Sequence, residues 1–183
     1  MASELHVDAI KHSGGTSAMT INSSGGVNIA GHVIQFVFNE DYSSTAVTQN
    51  QSTGFVDVTG FSKAITPKFS SSKIFINLKF HASNPTAGLG MDAKIFRDST
   101  ALKHITNFNH RASEDGNASS GNNIQTHVIS HVDTPSSTSS LTYKIQIAHR
   151  TTNGGTFTIN DSTGSTSSAF VGGTMLTLME IGQ

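Results

Sequence analysis

The chain has 183 residues, room for one compact domain with a short appendage and not for two comfortable domains. Charged residues make up 13%, against about 25% in ordinary globular proteins, and the formal net charge is −1. The sequence therefore carries neither the basic footprint of a nucleic-acid binder nor a patch for an anionic membrane. Cysteine is absent, which excludes a disulfide framework and a thiolate metal site and leaves packing and assembly as the sources of stability.

Met1 to Glu4 lacks the cationic start and apolar run of an export signal, and no stretch approaches the roughly 20 apolar residues of a membrane-crossing helix. The expectation is a protein made in a cytoplasm and not inserted in a membrane. From Leu5 to Gly31, short apolar runs alternate with Gly/Ser/Asn turns at Ser13-Gly14-Gly15 and Asn22 to Gly26. The runs are Leu5 to Ile10, Ala18 to Ile21 and Val27 to Ile29. Strands this short bury too little to offset roughly 1–2 kcal/mol of backbone entropy per residue. Leu5, Val7, Ile10, Met19, Ile21, Val27 and Ile29 are thus expected to pack against identical copies, making residues 1–30 an attachment and oligomerisation stalk.

Beyond Gly31 the period is two, the signature of strands. His32 to Phe38 opens the main domain (31–183) and is apolar on both faces, so it reads as well buried. Asn39 to Thr53 reads as a long polar loop and Phe55 to Phe61 as a strand, with a turn at Ile65 to Lys68. In Lys73 to Phe80 the residues Ile74, Ile76, Leu78 and Phe80 point inward, while Phe75 interrupts the polar face and is a candidate intersubunit contact. Met91 to Phe96 and Leu102 to Ile105 flank a hairpin turn at Arg97 to Thr100. Ser113 to Asn123 is a Gly/Ser/Asn-rich loop, Ile124 to Val132 a strand, Asp133 to Ser140 a loop, Leu141 to His149 a cleanly alternating strand, and Thr156 to Ile159 a short one. This count gives an all-β antiparallel sandwich, and periodicity alone leaves an immunoglobulin-like sandwich and a jelly roll both open.

Two segments carry a resemblance. Val7-Asp8-Ala9-Ile10-Lys11-His12-Ser13-Gly14-Gly15-Thr16-Ser17-Ala18-Met19-Thr20-Ile21-Asn22-Ser23-Ser24-Gly25 resembles the N-terminal anchor of short fibre-type virion proteins of marine tailed bacteriophages. Ser168 to Gly182 is similar to the last strand of the C1q/TNF-like jelly roll that follows the anchor in that family and forms homotrimers. The resemblance implies a jelly-roll sandwich behind a β-turn-rich stalk, in a virion assembled in the host bacterial cytoplasm. Other virion proteins would then be the partners of residues 1–30. The last strand is apolar on both faces, so Met175, Leu176, Leu178, Met179 and Ile181 join Phe75 as trimer-interface candidates: one face fills the core and the other needs a partner.

Chemistry finds little support. His127 and His131 stand about 13 Å apart along a strand, too far to share one ion, although one His from each of three chains could still meet on a threefold axis. No Gly-x-Ser-x-Gly elbow is present, Gly154-Gly155 and Gly172-Gly173 lack the context of a phosphate cradle, and Glu114, Asp115, Asp133 and Asp161 lack calcium-loop spacing. No catalytic residue, cofactor or metal is expected. The alternative to a structural role is a host-receptor or carbohydrate-binding module, touching a surface glycan or protein through His110, Arg111, Glu114, Asp115 and Asn117. A secreted C1q-like factor lacks its export signal here, and a glycan-degrading tail enzyme would need paired carboxylates in a groove.

Overall fold

A computed structural model describes residues 6–23, 25–43, 45–48, 54–84, 90–108, 123–150, 157–160 and 173–183. Its strands are β1 (Ala9–Lys11), β2 (Ser17–Ile21), β3 (Val27–Asn28), β4 (Val33–Asp41), β5 (Thr45–Val47), β6 (Val56–Ile65), β7 (Lys73–Asn84), β8 (Met91–Arg97), β9 (Thr100–Phe108), β10 (Asn123–Asp133), β11 (Leu141–His149), β12 (Phe157–Ile159) and β13 (Thr174–Ile181). The main-domain pairings are nested: β4 with β13, β6 with β11, β7 with β10 and β8 with β9, all antiparallel. A ribbon paired first-to-last in this way and rolled up gives two sheets, β4-β13-β7-β10 and β6-β11-β8-β9. That is a jelly roll. β12 continues the line of β13 beside the far end of β7, and β5 pairs with β12.

Alternation along each strand fills the space between the sheets. Ile74, Ile76, Leu78, Phe80 and Ala82 of β7 meet Tyr143, Ile145 and Ile147 of β11 and Met91, Ala93 and Ile95 of β8, all buried. Phe61 and Phe80 pack across the gap with ring centroids 5.1 Å apart. The polar groups among them are tied. Asp133 of β10 accepts from the Tyr143 hydroxyl and from Arg97 Nη1, both at 2.7 Å, linking the two sheets. Burial and the Asp133 carboxylate push the Tyr143 hydroxyl far above its ordinary pKa, so it remains the donor.

His149 and His127 are interior imidazoles. His149 Nε2 donates to the Val47 carbonyl at 2.7 Å, and the His127 ring lies 5.3 Å from that of Phe80. Burial pushes the pKa of both below the ordinary 6.5. A histidine depressed in the folded state contributes full stability above its unfolded pKa and loses it as the pH falls through the folded one. Thermal midpoints at fixed concentration are therefore expected to hold above about pH 6.5 and to fall below it, with a shallower fall in His149→Gln. An acid limb unchanged in that variant would show that His149 does not contribute.

The expected loop from Asn39 to Thr53 fails over Asn39 to Asp41 and Thr45 to Val47. β4 runs through to Asp41, and β5 lies inside the expected loop with Val47 fully buried. Tertiary pairing overrides the polar composition. Asn39 Nδ2 reaches the Gly60 carbonyl at 3.4 Å, and Asn160 Nδ2 holds the β4–β5 corner through the Asp41 carbonyl at 3.0 Å and that of Ser43 at 3.4 Å. Thr174 Oγ1 closes this knot by donating to Asn160 Oδ1 at 3.0 Å.

β6 passes close under β4 at Gly60, where φ is +84° and an added Cβ would lie 2.6 Å from Asp41 Cβ. Gly60→Ala is expected to cost about 2 kcal/mol from the strained backbone alone, read in urea unfolding. An unchanged midpoint would rule out the tight crossing. The hairpin expected at Arg97 to Thr100 is present, and Asp98 takes the positive φ of 52° that Gly would otherwise supply.

The N-terminal strands form a separate antiparallel sheet, β1-β2-β3. Its turns repeat one pattern. His12 N bonds Thr16 O and Gly15 N bonds His12 O; Asn22 N bonds Gly26 O and Gly25 N bonds Asn22 O. Gly15 and Gly25 take the positive φ values of 85° and 77° that such a loop needs. The sheet is fastened to the end of the jelly roll: Gly31 N donates to Gly182 O, Gly182 N to His32 O, and Asn28 Nδ2 to Gln183 O. A Cβ on Gly182 would lie 2.6 Å from the Ile29 carbonyl, so this approach requires glycine.

Candidate assembly surface

Registers through β4, β13, β7 and β10 decide which side chains face the core. Val37, Leu178 and Ile76 stand in one inward row. Phe36, Met179, Phe75 and Val132 form the next row, on the outside. Two residues along, Phe38, Thr177, Asn77 and Ser130 share an outer row, followed by Glu40, Met175, Lys79 and Val128. The first of these outer rows is apolar across all four strands.

Exposure makes this face unusual. Phe36 is 51% exposed, Phe38 48%, Val128 62% and Val132 50%. The Phe36 and Phe38 rings lie 5.6 Å apart, tilted by 43°, as one ridge along the sheet edge. Covering an aromatic or aliphatic side chain of this size is worth about 1.5–3 kcal/mol. A contiguous apolar patch rimmed by charges, here Glu40, Lys73 and Lys79, has the make-up of a protein contact.

The sequence matches no protein-family profile and no curated protein. Among solved structures it is similar to VP2 of infectious bursal disease virus in a subviral particle, with TM-score 0.40 and 13% identity over 81% of this chain and 38% of that one. It is also similar to the structure of the Gt strain of that virus, with TM-score 0.42 and 13% identity over 97% of this chain and 43% of that one. A third similar structure is dimeric latent PorU of Porphyromonas gingivalis, with TM-score 0.42 and 11% identity over 92% of this chain and 15% of that one. The chain thus spans about two fifths of the viral chains.

Of the residues singled out in the sequence, Phe75, Met175, Met179 and Ile181 have the outward register. Leu176 and Leu178 are corrected: both are 0% exposed in the core and offer no surface to a partner. The reading of His32 to Phe38 as well buried is corrected too, since β4 is a sheet edge and its phenyl rings face outward. Phe36, Phe38, Val128 and Val132 escaped the sequence reading. Their signal was an apolar pair on the strand face opposite Val37 in β4 and Ile129 in β10.

His127 and His131 share the inward register with Phe80 and Ile76, so neither is placed to meet its copies in front of the outer face. Among the described residues no group of three or more His, Asp or Glu side chains is arranged to hold a metal. In the N-terminal sheet Val7, Ile10 and Val27 are exposed and Met19, Ile21 and Ile29 half-buried. Leu5, the loop-tip candidates His110, Arg111, Glu114, Asp115 and Asn117, and Asp161 lie outside the described residues.

Proposed function

We propose that this protein is a structural virion component of a tailed bacteriophage, a short trimeric fibre or surface decoration that docks through residues 1–30 and displays a jelly roll. The observation that carries the reading is the apolar outer row Phe36, Met179, Phe75 and Val132, whose ends Phe36 and Val132 stand 51% and 50% exposed in one chain and which further copies of the chain would cover. The resemblance of Val7 to Gly25 to phage anchors supplies the particle. A cysteine-free β-trimer rich in Ser, Thr and Asn suits a particle that must stay folded in any redox environment.

The function is self-association and display. Sedimentation of the purified chain at micromolar concentration is expected to give a trimer, and a monomer would overturn the reading. Deleting residues 1–30 is expected to leave a folded jelly roll that no longer joins the particle. Incorporation of the truncated chain at normal copy number would remove the attachment role, whereas insolubility would make the N-terminal sheet part of the fold.

A further inference from the structure

We infer that the outer face of the second sheet, β6-β11-β8-β9, holds a site for a carboxylate-bearing sugar, with Lys94 and His104 taking the carboxylate. Registers place Asp57, Gln146, Lys94 and His104 side by side in one row across the four strands, on the face away from the buried Ala93 and Ile95. Lys94 and His104 stand directly opposite each other on β8 and β9. Two groups that can both carry positive charge make a poor cross-strand pair, and two neighbours hold them together. Phe55 takes the Lys94 ammonium over its ring, 4.1 Å from the centroid, and packs nearly perpendicular to the His104 ring at 5.6 Å. Asp92 shares the outward register yet is 0% exposed, and its Oδ2 stands 3.4 Å from His104 Nε2.

These contacts use only one side of each group. Lys94 is half-buried and has no carboxylate partner among the described residues. Asp92 faces Nε2 of His104, so Nδ1 of this 44% exposed side chain is the ring nitrogen turned away from it. A ligand carboxylate lying between Lys94 Nζ and His104 Nδ1 relieves the like-charge pair. With Asp92 on Nε2, it also gives each N–H of an imidazolium its own acceptor.

The rest of the row selects the class of ligand. Gln146 comes next to Lys94, one strand spacing of about 4.8 Å away, and its Nε2 donates to Asp57 Oδ1 at 3.0 Å. Gln146 Oε1 and the 67% exposed Asp57 carboxylate are then acceptors for hydroxyl groups. A cationic clamp followed by hydroxyl acceptors matches a sugar acid, whereas an acidic peptide side chain would use the clamp alone. The site lies on the opposite sheet from the assembly surface, so it does not depend on how copies associate.

The test titrates sodium glucuronate into the full chain and follows the His104 Cε1–H and Lys94 Cε–H signals by nuclear magnetic resonance, with glucose, acetate and phosphate as comparisons. Glucuronate is expected to shift both signals and to half-saturate at a lower concentration than acetate, while glucose shifts neither. Lys94→Gln and His104→Gln should each raise the half-saturating concentration by about tenfold, the worth of one charge-assisted hydrogen bond. Lys79→Gln, exposed on the other sheet, should leave it unchanged. Asp57→Asn should weaken glucuronate and not acetate, which marks recognition of the hydroxyls. Glucose shifting the same signals equally would overturn the part given to the carboxylate. Acetate or phosphate saturating as early as glucuronate would leave an adventitious ion only, and a glutamate-rich peptide binding more tightly than glucuronate would hand the clamp to a protein partner; either result overturns the sugar site.

Discussion

Glu180→Ala is expected to lower the unfolding free energy by about 3 kcal/mol, among the largest losses available to a single side chain outside the apolar core. Glu180 is 0% exposed in a strand that is otherwise mostly apolar. Its Oε1 accepts from the backbone N–H groups of Lys68 and Phe69 at 2.8 and 3.1 Å, and its Oε2 accepts from Gln35 Nε2 at 2.6 Å. A buried carboxylate survives only when its lone pairs are used in this way. Truncation removes the acceptor of the Lys68 and Phe69 N–H groups, at about 1–3 kcal/mol for each that stays unsatisfied, while Gln35 Nε2 keeps the Thr66 carbonyl at 2.6 Å. Glu180→Gln keeps one acceptor oxygen and should lose about half as much. Chemical denaturation of the two variants checks this, and an alanine variant as stable as the wild type would show that the corner at residues 66–69 needs no anchor.

Glu180 also shows why part of the fold was legible in the sequence and part was not. Strands that separate polar from apolar residues by alternation can be read directly: β11 spans Leu141–His149, as its pattern predicts, and β7 buries Ile74, Ile76, Leu78 and Phe80 as expected. Gly14-Gly15 and Gly25-Gly26 mark their turns because those turns need positive φ. β5 and the end of β4 were not readable. They exist because Asn160 holds the Asp41 and Ser43 carbonyls and because β13 and β12, far along the chain, pair with them, and nothing local in Asn39 to Thr53 announces that.

The candidate surface was legible only where one face of a strand was already accounted for. Phe75 stood out because it interrupts a polar face, and Met175, Met179 and Ile181 because β13 is apolar on both sides. In β4 both faces are apolar as well, and a period of two cannot say which is inside. Register decides. Val37 stands opposite Leu178, which stands opposite Ile76, so Phe36 and Phe38 must point away from the core. A residue's side of the sheet is a property of its partners.

Met179→Glu is expected to raise the dissociation concentration of the assembled protein by more than a hundredfold while leaving the jelly roll folded. Met179 sits second in the apolar outer row, between Phe36 and Phe75, and is half-buried by its neighbours within one chain. A carboxylate there remains solvated in the single chain, because the outer face is open to water. Covering the row with another copy would desolvate it with no cation in the row to meet it, and a burial cost of about 3 kcal/mol corresponds to roughly a hundredfold in association. Thr142→Glu, exposed on β11 in the opposite sheet, is the matched control and should change nothing. Sedimentation across a concentration series separates the two, with circular dichroism to confirm that both variants keep their strands. If Met179→Glu assembles as the wild type does, copies of this chain meet somewhere other than the outer face of β4-β13-β7-β10, and the exposed phenyl rings of β4 serve a different partner.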